Sequence, residues 1–245
     1  MHITTQGLVL RETNYKEADK ILTVLTREGG KRTVKARGCR RKNSPLAASA
    51  QLLVWSDMTL FEYRDYFTLN EAEALELFWG VRQDVEKLAL CSYFAEVTEL
   101  VAEEGRPDAG LLPLILNSMY ALDKLKKSLP LVKAAFELKL LCLAGYEPLL
   151  DACAVCGLPE PEQPALDLAE GVLRCGHCGS GGGPARVLDT AALAAMRHVV
   201  YGDPKRLFSF ALPPESLSRM AAACEGFLLA QLDRGFRTLD FYKTL

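Results

Sequence analysis

A chain of 245 residues, 49% hydrophobic and 24% charged, is long enough to bury a substantial core as one large domain or two ordinary ones. Its longest apolar stretches, such as "LVWSDMTLF" and "LKLLCLAG", stop well short of the ~20 residues that cross a bilayer, and "MHITTQG" lacks a signal-peptide core. These features exclude a membrane-spanning or exported class and lead us to expect a soluble cytoplasmic protein with no membrane partner. The formal net charge of -2, from 29 Lys and Arg against 31 Asp and Glu, hides a local excess: from Arg27 to Lys42, eight basic residues face one acid, Glu28. Residues 1 to 80 carry 12 basic and 10 acidic side chains (net +2), and the remainder 17 and 21 (net -4).

Five strands are predicted in the first eighty residues: "GLVL" (7 to 10), "ILTVLT" (21 to 26), "RTVKARG" (32 to 38), "LLVWSDMTLFEY" (52 to 63) and "YFTLNEAEAL" (66 to 75). Gly29-Gly30 suits a hairpin turn, because both residues accept positive φ. So many short strands suggest a small closed sheet, either an SH3-like or an OB-type barrel. On the third strand Thr33, Lys35 and Arg37 share one face and Val34 and Ala36 the other, so one face is cationic and the other fits a core. The chain then continues through Cys39, Arg40, Arg41 and Lys42 toward Pro45 as a charged loop. A charged strand face followed by a charged loop suits a phosphate backbone, with affinity arising mainly from counterion release. A solvated surface is the bland alternative, but the near absence of acids here favours attraction to an anion. Trp55, Phe61, Tyr63, Tyr66 and Phe67 lie close in sequence and are of a kind that stacks on bases, though half or more are expected in the barrel core.

From about residue 77 the apolar spacing becomes helical, with helices predicted at roughly 76 to 103, 112 to 127 and 131 to 144, the last closed by Gly145. After a cysteine-bearing insert at 148 to 188, Asp189 or Thr190 caps a helix to about Val200, and Pro213-Pro214 opens a long final helix with an apolar stripe. "GSGGGP" (179 to 184) reads as a connector, since no Lys-Ser/Thr follows to make a phosphate-binding loop.

Cys153-Ala-Val-Cys156 and Cys175-Gly-His-Cys178 stand 18 residues apart, inside the spacing of a four-cysteine zinc site. Four thiolates complete a tetrahedral shell and leave no position for an activated water, so a single structural zinc ion is expected. A disulfide pair and a thioredoxin-like redox motif are the alternatives, and His177 is a less natural ligand. Cys91, Cys142 and Cys224 read as small core residues and Cys39 as a small residue at a strand end. The deaminase signature, His-x-Glu with Pro-Cys-x-x-Cys, is absent, as are the Walker A motif, the Gly-x-Ser-x-Gly elbow and the His-Glu-x-x-His helix. A zinc-dependent enzyme acting on nucleic acid is thus disfavoured, and a zinc-ribbon scaffold that binds only proteins remains as another reading.

Taken together, "TTQGLVLRETNYKEADKILTVLTREGGKRTVKARGCRRKNSPL" resembles the start of the bacterial RecO recombination-mediator family. The likeness is carried by Gly7 to Arg11, Tyr15-x-Glu17-x-Asp19, the Leu-Thr run of Ile21 to Thr26, a Gly turn and Arg37 to Arg41. The cysteine cluster and the tail "LLAQLDRGFRTLDFYKTL" are similar to the family as well. The resemblance implies an α+β chain: an N-terminal OB-fold DNA-binding domain at 1-80, then a helical domain at 81-245 with an embedded zinc module at about 148-188. It further implies a non-enzymatic role in recombination repair: binding single- and double-stranded DNA, annealing complementary strands, associating with RecR, contacting the acidic tail of single-stranded-DNA-binding protein, and helping RecA load. The expected DNA contacts are Lys31, Arg32, Lys35, Arg37, Arg40, Arg41 and Lys42, joined by Arg11; the metal ligands are Cys153, Cys156, Cys175 and Cys178. For the acidic tail, Lys133, Lys139 and Arg197 are candidates.

Overall fold

The structure, a computed structural model, describes residues 1-64, 66-179 and 181-245. Its first strand, β1 (His2–Tyr15), is far longer than the "GLVL" core that marks it in the sequence. One half pairs with β4 (Trp55–Tyr63) and the other with β2 (Asp19–Thr26), and a bulge between Val9 and Arg11 lets the strand turn from one partner to the other. That bulge also accounts for the unbroken burial of Leu8, Val9 and Leu10, which plain alternation forbids.

β3 (Gly30–Ala36) pairs antiparallel with β2 and parallel with β5 (Tyr66–Glu76), through Val34 opposite Phe67. The barrel closes in the order β1-β2-β3-β5-β4, the OB arrangement, so the SH3-like alternative is set aside. Val9, Leu22, Val24, Val34, Met58, Leu60 and Leu69 fill its core, and the Cys39 thiol, pushed up by burial, packs among them.

The Gly29-Gly30 hairpin needs correction. Thr26 pairs with Gly30, so Arg27, Glu28 and Gly29 form a three-residue turn, and of the two glycines Gly30 has the positive φ, 63°. A Cβ on Gly30 would lie 2.0 Å from the Arg106 carbonyl oxygen. Gly30→Ala is therefore expected to cost ~2 kcal/mol or more, the left-handed backbone alone contributing about 1–2. A urea melt that shifts its midpoint without changing slope would register this; an unshifted midpoint would refute the contact.

The helix predicted over 76 to 103 is two helices. β5 runs on to Glu76, Phe78 takes a left-handed φ of 50°, and α1 (Trp79–Arg82) is one turn long. α2 (Val85–Val101) then starts afresh, because the Asp84 carboxylate accepts from the Glu86 and Lys87 amides. α3 is Leu111–Asp123 and α4 Leu129–Leu143, with Gly145 just beyond α4 at φ 88°. In the cysteine insert lie three strands of three residues each: β6 (Ala165–Asp167), β7 (Val172–Arg174) and β8 (Ala185–Val187), in the order β7-β6-β8. Of the connector predicted at 179 to 184, Ser180 lies outside the described residues. Asp189 caps α5 (Thr190–Tyr201), its carboxylate accepting from the Ala192 amide at 2.8 Å. The long final helix is broken at Asp233, φ 48°, into α6 (Pro214–Leu232) and α7 (Arg237–Tyr242).

The chain folds as two compact units that do not follow the strand-to-helix change near residue 80. One is Met1–Lys124 with Phe236–Leu245, and the other is Leu125–Gly235. In the first, α7 packs on α2, with Phe236 edge-on to Tyr93 at 5.7 Å and Thr238 donating to the Glu96 carboxylate. In the second, α4, α5 and α6 pack pairwise, and Cys224 is fully buried in their core. Among the described residues no helix is long and apolar enough to cross a membrane.

Candidate nucleic-acid interface and metal centre

β3 alternates as its sequence requires. Val34 and Ala36 are buried in the barrel, while Thr33, Lys35 and Arg37 face an open groove of about 780 Å³. Tyr15, Phe61, Tyr63, Tyr66 and Asn70 line the same groove, drawn from β1, β4 and β5. Phe61, Tyr63 and Tyr66 are 39%, 58% and 77% exposed, which is unusual for large rings unless a surface is kept for a partner. Phe67 instead belongs to the core, with the Arg32 guanidinium 4.7 Å above its ring centroid. Trp55 lies elsewhere, in a groove with Arg27 and Tyr120.

Lys35 is held in place from two sides. Its Nζ lies 3.2 Å from Asp19 Oδ2 and 4.9 Å from the Tyr15 ring centroid. The Gly38 amide donates to Asp19 Oδ1 at 2.8 Å and, with Lys35 and against the effect of burial, keeps the Asp19 carboxyl below its ordinary range. Asp19 thereby ties the end of β2 to the turn after β3.

The remaining basic candidates do not join this groove. Arg40, Arg41 and Lys42 lie on exposed turns and line a second concavity of about 610 Å³ with Glu12, Lys20 and Arg82. Arg11 and Lys31 turn to α2: Arg11 Nε donates to the Glu99 carboxylate at 2.9 and 3.0 Å, and Lys31 Nζ to the Glu99 carbonyl at 2.7 Å. The charge run that is continuous in sequence is thus divided three ways in space.

Sequence reasoning missed Tyr15, Thr68, Asn70 and Arg64, the last lying 5.2 Å over the Tyr63 ring. The alternation in "YFTLN", with Phe67 and Leu69 inward and Tyr66, Thr68 and Asn70 outward, carried a signal for two of them.

The four cysteines converge. All four sulfurs lie within 4.8 Å of one another, and Cys156 and Cys175 are 3.8 Å apart. Sulfurs bound ~2.3 Å from a tetrahedral zinc ion would lie roughly 3.8 Å from each other, so the donor set fits. The knuckles that present them are tight turns: the Gly157 amide donates to the Cys153 carbonyl at 2.8 Å and the Gly179 amide to that of Cys175 at 3.1 Å, both glycines at φ 73°. Backbone amides point at sulfur, among them Cys175 N to Cys153 Sγ at 3.3 Å and Cys178 N to Cys175 Sγ at 3.4 Å. The Cys156 amide leads in lowering the Cys153 thiol to about 6, while hydrogen bonding to Cys175 raises Cys178 to about 12. Four sulfurs this close cannot all ionise unless a cation lies among them. The cluster can hold a metal ion, and its ligand set is consistent with zinc; His177 is exposed and outside it.

The three candidates for an acidic tail are each engaged internally. Lys133 is buried between Glu137 and Glu225, Lys139 donates to the Val200 carbonyl, and Arg197 bonds the carbonyls of Leu150, Asp151 and Pro159 together with the Glu160 carboxylate. Arg197 fastens the cysteine insert to α5.

A closed OB barrel with an aromatic, cationic groove, followed by helices and a four-cysteine insert that can hold a metal ion, defines the class: an α+β OB protein with an embedded metal-competent module. Two family models divide the chain, "Recombination protein O N terminal" over residues 1–78 and "Recombination protein O C terminal" over 82–240. The DNA repair protein RecO of Acetivibrio thermocellus is 31% identical over 244 residues, covering 100% of this chain and 97% of that protein. The RecO of Symbiobacterium thermophilum is 34% identical over 244 residues (98% and 96%), and that of Alkaliphilus metalliredigens 29% over 246 residues (100% of both). The chain belongs to the RecO family of DNA repair proteins.

Proposed function

We propose that this chain is a DNA-binding recombination mediator acting in the cytoplasm, with residues 1-80 making the primary DNA contacts and no covalent chemistry of its own. The observation that carries the reading is the open groove in which Lys35 and Arg37 stand beside exposed Tyr63 and Tyr66. Cations gain affinity by releasing counterions from phosphates, and aromatic faces stack on unpaired bases whatever their sequence. A mediator that must work on any sequence needs this combination. Single- and double-stranded DNA are its ligands, with annealing of complementary strands the expected outcome. RecR and the acidic tail of single-stranded-DNA-binding protein are its protein partners, through which it helps load RecA. One structural zinc ion would be held by Cys153, Cys156, Cys175 and Cys178; when bound it neutralises the thiolates and cross-links the insert.

The test is a titration of fluorescent single strands at several salt concentrations. Replacing Lys35, Arg37 and Arg40 by Ala is expected to weaken binding roughly tenfold to a hundredfold at low salt and to reduce the salt slope by about 2. Unchanged affinity and slope would show the site to be misassigned. Failure of the unsubstituted chain to retain DNA at low salt would favour the protein-only scaffold.

A further inference from the structure

The two cationic concavities on the barrel are separated by the ribbon of β1 and β2 beyond the bulge. Its register pairs Thr13 with Ile21, Asn14 with Lys20 and Tyr15 with Asp19, and successive residues of a strand point to opposite faces. Tyr15 and Ile21 accordingly line the aromatic groove, whereas Glu12, Asn14 and Lys20 line the cleft around Arg40, Arg41 and Lys42. Among the described residues the two linings share none. A strand lying in the groove would have to wrap around the ribbon to reach the cleft.

Their chemistry differs as well. The groove presents the exposed faces of Phe61, Tyr63 and Tyr66 and two cations, of which Lys35 is already balanced by Asp19. Among the described residues, no aromatic lines the cleft. Its walls are braced: Lys20 bonds the Glu12 carboxylate and the Ala50 carbonyl, and Arg82 bonds the Leu77 and Leu52 carbonyls. Arg40, Arg41 and Lys42 are exposed, and among the described residues none is in an ion pair. Arg40 donates to the Lys16 carbonyl at 3.4 Å, which leaves its charge unneutralised. A surface with three exposed cations outside any ion pair and no ring recognises phosphates; a surface with rings recognises unstacked bases.

We infer that the barrel carries two separable nucleic-acid sites: the groove takes the unstacked bases of a single strand, and the cleft takes the phosphodiester backbone of a second segment without reading its bases. The inference rests on the DNA-binding reading above and deepens it. Two segments held on opposite faces of one ribbon are kept at high effective concentration, which is what bringing strands together demands.

The experiment uses the full chain with two probes, a labelled oligothymidine and a short blunt duplex, and two variants. In the groove variant Tyr63→Ala and Tyr66→Ala are combined; both side chains are exposed, so the fold is spared. It is expected to lose tenfold or more in oligothymidine affinity while duplex affinity stays within about twofold. In the cleft variant Arg40→Ala, Arg41→Ala and Lys42→Ala are combined. It should lose at least about tenfold for the duplex, with a salt slope shallower by about 2 to 3, and keep oligothymidine within about threefold. Duplex added to the oligothymidine complex of the unsubstituted chain should join it rather than displace the label. Equal losses for both probes in each variant, or stoichiometric displacement, would establish a single site and overturn the inference while leaving DNA binding intact. If the unsubstituted chain bound neither probe, both readings would fall.

Discussion

Cys153→Ser, or treatment with a zinc chelator, is expected to unfold the insert from Leu149 to Leu188 while leaving DNA affinity within about threefold. The insert buries Leu166 and Leu173 and is tied to α6 by Gln231, but its own sheet is small. Its three strands are three residues each, and a sheet that small does not stand alone in water. The first cysteine knuckle is stitched to β7 by the Ala154 amide on the Leu173 carbonyl at 2.8 Å, and the second follows β7 directly, so loss of the metal undoes both ends of one strand. For Cys153→Ser the cost should be on the order of 5 kcal/mol, a fraction of the ~10–16 measured for zinc-finger peptides, because three remaining thiolates keep part of the affinity. Disruption should spread to α5, where Arg197 bonds the Leu150 and Asp151 carbonyls and the Tyr201 hydroxyl accepts from the Leu150 amide at 3.0 Å. Amide hydrogen exchange reads this residue by residue. Unchanged protection in the insert after metal removal would end the structural role proposed for zinc, and loss of DNA binding by a folded variant would end the assignment of DNA binding to the barrel.

How much of this was legible in the sequence depended on whether the determinant was local. The cysteine quartet was, because two-residue gaps and flanking glycines dictate the knuckles without knowledge of the rest of the fold. The two-faced character of β3 was also, because strand alternation is a property of adjacent residues. The groove itself was not: it exists because Val34 pairs with Phe67 across more than thirty positions, setting Thr68 opposite Lys35 and bringing Tyr66 into the same groove, and no periodicity encodes that. The same holds for the division of the basic run, in which Lys31 and Arg37, six residues apart, end up facing α2 and the groove. Breaks in regular structure were hidden for another reason. Phe78 and Asp233 adopt left-handed backbone although neither is glycine, a conformation that tertiary packing imposes against local preference. The three-residue strands of the insert are too short for alternation to register at all. Lys133 was misread because the sequence of α4, "LPLVKAAFELKLLCL", does not say that the helix is surrounded nearly on all sides.

That burial makes Lys133 the most consequential single charge of the second unit. The residue is 5% exposed, and its Nζ lies 2.7 Å from Glu137 Oε1 and 2.7 Å from Glu225 Oε2, with Glu137 fully buried. Burial by itself would lower the lysine, but the two carboxylates outweigh it and raise its pKa. Stability gained from a raised lysine is fully present below the ordinary lysine range and lost only as pH climbs through the higher folded value, so near neutrality the network is intact. Lys133→Ala strands the Glu137 carboxylate without its cation and is expected to cost about 3–5 kcal/mol. The sign of the pH dependence then distinguishes this cause from a simple cavity. A buried carboxyl that has lost its counter-cation binds its proton more tightly when folded than when unfolded, so the variant should gain stability as pH falls from 7 to 5, whereas a cavity would not respond. Combining Lys133→Met with Glu137→Leu removes both charges at similar volume and should recover most of the loss, because a buried ion pair exchanged for packed apolar groups is close to neutral. Glu225, partly exposed, can return to water. Urea unfolding of Lys133→Met, Glu137→Leu and the double variant at both pH values closes the cycle. Additive losses with no pH response would show that Lys133 contributes packing alone.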